Sequence, residues 1–187
     1  MDEMAVDGKL GQWDDHHNAL DEYLSIDSSR YIMVYQAAAQ NGKAVIVIDI
    51  KAEAVTEFMQ GLNLGDGSIV GFVTAGGREL AVKRNAGDEQ GTPVEGETIF
   101  ADKDFYLQAS ETDGVRQVQY NGTEYLFFHS KSEDTGATMC ALVPLKVITG
   151  QAESIKQITI AGVLISSIIA LLIGTAVTSG IRKNMKR

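Results

Sequence analysis

The sequence predicts an α+β domain, an antiparallel five-stranded sheet with flanking helices, followed by a single C-terminal transmembrane helix. Three observations lead there. Short β-rich runs flank the dipeptides Asn41-Gly42, Gly76-Gly77 and Asn121-Gly122. Asn-Gly readily supplies the two positive φ angles of a tight hairpin turn. Apolar residues at helical spacing occur in separate stretches beside these runs, clearest over residues 52–62. Finally, the run from Ile158 to Ile181 (ITIAGVLISSIIALLIGTAVTSGI) holds no charged side chain. A helix of that length rises about 36 Å, against a hydrocarbon core of about 30 Å.

Taken in order, residues 2–24 are polar and helix-compatible, with Leu10, Trp13, His17, Leu20 and Leu24 near one face, and residues 25–29 read as a break. Residues 31–39 (YIMVYQAAA) and 43–49 (KAVIVID) form a first hairpin around Asn41-Gly42. Residues 52–62 place Ala54, Val55, Phe58, Met59 and Leu62 at helical spacing, and the glycine-bearing loop NLGDGS closes that helix. Strands follow at 69–75 and 79–83 around Gly76-Gly77. The Gly-, Pro- and acid-rich stretch 85–98 reads as an exposed loop, and residues 100–110 hold a short helix. Residues 115–120 and 123–130 flank Asn121-Gly122, residues 132–136 turn, and residues 138–143 form the last strand. Pro144 ends it, because proline cannot donate to a ladder. A helix from Leu145 then runs toward the apolar stretch.

Charge is unevenly distributed. All 25 Asp and Glu lie before Ile158, with 12 of the 16 Lys and Arg; the other four are Arg182, Lys183, Lys186 and Arg187. The acidic part is unsuited to nucleic acid, which needs basic surface to replace counterions, and to anionic headgroups. An apolar run closed by a basic cluster places the C-terminus in the cytoplasm and the preceding domain outside. Cys140 is the only cysteine, so the fold rests on packing rather than on an internal disulfide. The start, MDEMAVDGKL, has no apolar core of a signal peptide. Two expectations follow: a downstream piece of a longer receptor, or a tail-anchored cytosolic adaptor.

Five strands, a preceding helix and a long connection after the second strand resemble a PAS-like layout. The run VIVIDIKAEAVTEFMQGLNLGDGSIVGFVTAGGREL resembles the core of extracytoplasmic Cache sensor domains, in which an apolar strand ending in an aspartate, here Asp49, leads to a helix and a Gly-rich loop. The run VQYNGTEYLFFHSKSEDTGATMCALVPLKVI is similar to the closing hairpin and last strand of that family, and SGIRKNMKR to the start of a HAMP linker in bacterial methyl-accepting chemotaxis proteins.

The resemblance covers residues 31–187. It implies a division into an N-terminal helical segment (1–30), terminal strands of a distal Cache module with a connecting helix (31–62), and a membrane-proximal Cache module (63–144). A linker helix (145–157), the transmembrane helix (158–181) and the start of HAMP (182–187) follow. It implies a homodimeric chemoreceptor of the cell membrane that senses a small molecule outside and reaches cytoplasmic signalling proteins through domains beyond this sequence. A histidine kinase or diguanylate cyclase would use the same input module. The tyrosine–arginine–tryptophan pattern of amino-acid-binding Cache domains is not found, so no ligand class is implied.

No residue pattern calls for catalysis, a metal or a cofactor. Asp14-Asp15-His16-His17 reads as a solvated helix face rather than a metal site, since adjacent helical residues point about 100° apart and no second ligand cluster is evident. Tyr125, Phe127 and His129 alternate on one face of a strand, where they form either a ligand-pocket wall or ordinary core. Cys140 reads as a small buried hydrophobe. GDG and AGGR are turns that open no helix, unlike a phosphate loop. Gly162, Ser166, Ala170, Gly174 and Thr178 recur every four residues, a small-residue stripe that suits close helix packing in lipid.

Overall fold

Turn chemistry organises the larger sheet. Asn121 (φ 47°) and Gly122 (φ 76°) both adopt positive φ, joining β7 (Asp113–Tyr120) to β8 (Thr123–Lys131) in a tight hairpin. Gly77 (φ 91°) does the same between β4 (Ile69–Val73) and β5 (Glu79–Lys83). The computed structural model describes residues 10–17, 21–22, 25–38, 44–109 and 111–149.

All described strand pairings are antiparallel. The larger sheet has the order β6-β5-β4-β9-β8-β7, where β6 is Thr92–Pro93 and β9 is Thr138–Pro144. Five strands were expected and six are present. The additional one, β6, is a two-residue strand from the expected loop that pairs at the sheet edge with Val82 and Lys83. Proline is tolerated there because an edge leaves its missing N–H unneeded. Pro144 lies within β9, opposite Tyr125, rather than beyond it: pairing with β4 reaches only Leu142, so on that side the missing N–H has no partner strand.

Period-two alternation gives the sheet two apolar faces. On one, Ile69, Val73, Ala81, Tyr125, Phe127, Cys140 and Leu142 pack with Ile99 and Phe100 from the β6–β7 connection. This connection holds α2 (Asp104–Leu107), shorter than the stretch expected to contain it. The Phe105 ring packs 5.0 Å from Phe127 and edge-on to both Phe100 and Tyr120. Glu79 fastens the connection: its carboxylate accepts from the backbone N–H of Ile99 (2.8 Å), Phe100 (3.0 Å) and Ala101 (2.8 Å).

The opposite face packs on α1 (Ala52–Gln60) through Met59 and Val55, and on Leu62 just after it, which meet Val70, Phe72, Leu80, Val82 and Met139. Phe58, expected on the apolar side, is 63% exposed. Arg84 ties the end of α1 to the next loop, donating to the carbonyls of Gln60, Leu62, Asp88 and Glu89.

In the N-terminal segment the described residues 13–14 are extended where a helix was expected, and residues 21–22 are helical. A short strand β1 (Trp13–Asp14) follows Gly11, which turns at φ 82° and donates to Gln36 O. It joins β2 (Tyr31–Ala38) and β3 (Val45–Lys51) in a sheet ordered β1-β2-β3, and Ser28–Arg30 form one 3₁₀ turn. Cross-strand packing of Trp13 on Tyr35, 5.3 Å between ring centres, draws this stretch onto β2. The Asn41-Gly42 turn itself lies outside the described residues.

The chain divides into two compact units, Met1–Leu145 and Lys146–Arg187. In the second, residues 146–149 are described and helical. No described helix is long and apolar enough to cross a membrane. The run from Ile158 to Ile181, the stripe Gly162, Ser166, Ala170, Gly174, Thr178 and the basic cluster Arg182, Lys183, Lys186, Arg187 lie outside the described residues.

Candidate functional site

α1 covers only part of its sheet face. It packs chiefly over β5, and β9, β8 and β7 continue beyond it. Between the end of the helix and these strands lies an open groove of about 570 Å³, within the roughly 300–1,000 Å³ of small-molecule sites. Leu62 and Leu64, carried by the loop after α1, form one wall. Strand register places Val70, Met139, Ala141, Phe128 and Val115 on the groove side. Val115 is 59% exposed, an unusual position for valine in a paired strand. At the outer end Asp113 stands opposite Ser130, adding one carboxylate and one hydroxyl to an otherwise apolar lining.

Tyr125, Phe127 and His129 lie together on the other face of β8. All three are buried, and Phe127 stacks on the His129 ring at 5.3 Å. His129 Nε2 lies 3.2 Å from Glu111 O. A carbonyl only accepts, so Nε2 carries the proton and Nδ1 is left without a partner among the described residues. Gly114 makes room for this ring: a Cβ there would sit 2.4 Å from His129 Cε1. His129, Gly114 and Cys140 therefore meet the groove through backbone, their side chains belonging to the opposite face. Burial, with a smaller effect from the Glu79 charge, pushes the Cys140 thiol up to about 12. Such a thiol is a poor nucleophile at neutral pH.

A second cluster lies in the segment read as a solvated face. Asp15 and His17 are buried. Asp15 accepts from Thr74 Oγ1 at 2.7 Å, while Arg78 donates to the carbonyls of Asp15, Ser28 and Tyr31 and lies over the Tyr31 ring. His17 Nδ1 is 2.7 Å from Asp21 Oδ1 and Nε2 is 2.6 Å from Asp49 Oδ1. Tyr31 donates to the other oxygen of Asp21. Each imidazole nitrogen thus faces a carboxylate at hydrogen-bond distance, an arrangement that needs imidazolium rather than a metal. Among the described residues no cluster of His, Cys, Asp and Glu is arranged to hold a metal ion.

The groove had no signal in local sequence. Its lining combines the loop after α1 with every second residue of four strands, and only the register brings Leu64, Val115 and Met139 together. Asp113 and Ser130 are ordinary turn-adjacent polar residues in sequence.

No protein-family model matches the chain, and no curated protein matches it. Among solved structures the chain is similar to the extracellular domain of rpHK1S-Z16, a proposed histidine kinase: 17% identity, TM-score 0.43, 63% of this chain and 48% of that chain. It is also similar to the ligand binding domain of Mlp24 with asparagine: 14% identity, TM-score 0.39, 65% of this chain and 47% of that one. The chain spans about half the length of each solved chain it matches. With TM-scores below one half, neither likeness bears on function.

Proposed function

We propose that this chain is the extracytoplasmic sensing part of a membrane receptor, in which a small ligand is read by the larger sheet and passed along the backbone to a C-terminal transmembrane helix. The observation that carries this reading is the position of β9. It is an interior strand, paired with β4 on one side and β8 on the other. Its Met139 and Ala141 line the groove. It ends at Pro144, and residues 145–149 continue as helix with no loop between. A ligand seated on Met139 and Ala141 would bear on the strand that leads into the apolar run.

The mechanism is mechanical rather than catalytic. A ligand shifts an equilibrium between two arrangements of β9 only by its difference in affinity for them. Helix displacements of about 1–2 Å are a recognised switching mode. Chemotaxis is the output we favour, from the similarity of SGIRKNMKR to a HAMP start; a histidine kinase or cyclase output would use the same input. In this reading the receptor is a homodimer whose transmembrane helices pack along the Gly162–Thr178 stripe.

Hydrogen–deuterium exchange on the full chain in phosphatidylcholine nanodiscs tests the reading, using a compound found by thermal-shift screening. The expected result is slower exchange across residues 138–149 and 62–64 on binding. A compound that raises the melting temperature yet leaves residues 138–149 unchanged would contradict it.

A further inference from the structure

We infer that the groove beside α1 selects molecules that carry a protonated amine on an apolar body, an inference that rests on the groove being the small-ligand site proposed above. Its side-chain lining is aliphatic and aromatic along Leu62, Leu64, Val70, Phe128, Met139 and Ala141. None of these six side chains can orient a polar headgroup. Polar chemistry is confined to one end, where β7 begins at Asp113 and Ser130 stands on the neighbouring strand. Among the described residues Asp113 is the only charged side chain lining the groove, and no Lys or Arg joins it there.

Among the described residues no hydrogen bond or ion pair engages the Asp113 or Ser130 side chain, and both residues are exposed. The groove thus offers a hydrophobic bed with one carboxylate at its end, the complement of an apolar cation. An organic acid would bring its charge against Asp113 within a domain that is acidic as a whole. An alcohol of the same shape would gain the apolar contacts and lose the ion pair. Because Asp113 is solvent-exposed, the expected discrimination is modest, about three- to five-fold between an ammonium and its alcohol isostere.

The test titrates the full chain, methyl-labelled and in phosphatidylcholine nanodiscs, with 2-phenylethylammonium, 2-phenylethanol and 3-phenylpropionate at low salt. Binding is read from the methyl resonances of Met139, Val115 and Leu64. The expected order is ammonium, then alcohol, then carboxylate. Asp113→Asn should bring the ammonium Kd to that of the alcohol and leave the alcohol unchanged. Raising the salt of the unmodified chain should narrow the same gap. Equal affinity for ammonium and alcohol, or tighter binding of the carboxylate, would overturn the inference and leave the small-ligand reading standing. No groove methyl responding to any of the three would overturn both. Methyl shifts that follow protein concentration without any probe would show a second copy in the groove, and would also overturn both.

Discussion

Two residues show how much rests on single atoms here. The first is His17. Burial pulls its pKa down, but hydrogen bonds to Asp21 and Asp49 and their charges push it up further, to a net value above 6.5. A raised histidine stabilises the fold fully below its unfolded pKa, and that contribution is lost as pH rises through the folded value. Asp21 behaves oppositely. Burial raises its pKa, while the Tyr31 and His17 hydrogen bonds bring it below 3.8, so its contribution is lost as pH falls through the folded value. Stability from this cluster is therefore greatest between the two ordinary values. Urea denaturation should show His17→Gln less stable than the unmodified chain by about 1–3 kcal/mol at pH 6. This is below the figure for a fully buried pair, because the Asp49 side chain is 39% exposed. The difference should shrink by pH 9; parallel stability curves from pH 6 to 9 would contradict the assignment. The second residue is Gly71, whose added Cβ would lie 2.3 Å from Phe100 Cε2. Phe100 is fully buried between β4 and Phe127, so Gly71→Ala should cost about 1–3 kcal/mol in the same assay. Neither role was legible in sequence. Asp49 lies 32 residues from His17, and the spacing of Asp14-Asp15-His16-His17 carries no trace of a partner so distant.

At the scale of elements, legibility followed the range of the interaction that decides each one. The β7–β8 and β4–β5 hairpins were readable because Asn121-Gly122 and Gly76-Gly77 fix their turns locally. α1 was readable from its spacing, but its buried side was not: Met59 is buried while Phe58 points to solvent, a choice made by the sheet it meets. β1 was misread as helix because two residues have too little pattern of their own, and pairing with Val34 and Tyr35 decides their state. β6 was likewise hidden in a Gly- and Pro-rich loop. Arg84 offers a test at this scale. It bonds four carbonyls, of Gln60 at the end of α1, of Leu62 just after it, and of Asp88 and Glu89 in the 85–91 loop, fixing the start of the segment that carries Leu62 and Leu64 to the edge of the groove. Arg84→Met should speed hydrogen exchange over residues 60–64 and 85–91 while leaving β7 and β8 protected. Unchanged exchange in both segments would show that packing on Met59 and Val82 holds the helix end without it.

For the whole molecule, composition and charge spoke to sidedness, and strand register spoke to the groove. The acidic domain and the basic residues after Ile181 are features of the sequence as it stands, readable without a structure. How a bound ligand would reach the apolar run depends instead on β9 being an interior strand, a property of topology that no local stretch encodes. Cys140 makes sidedness measurable, because it is the only cysteine of these 187 residues, is buried, and its thiol is pushed up to about 12. It is a silent background for maleimide labelling. Single cysteines at Glu95, on the exposed loop before α2, and at Asn184, in the basic tail, can be placed in the native full-length gene product after any cysteine outside these 187 residues has been replaced by serine. Sealed right-side-out membrane vesicles are then treated with a membrane-impermeant maleimide. A sensor outside the membrane requires that Glu95→Cys be labelled at once and Asn184→Cys only after lysis; the reverse pattern would put the domain in the cytosol and contradict the receptor reading.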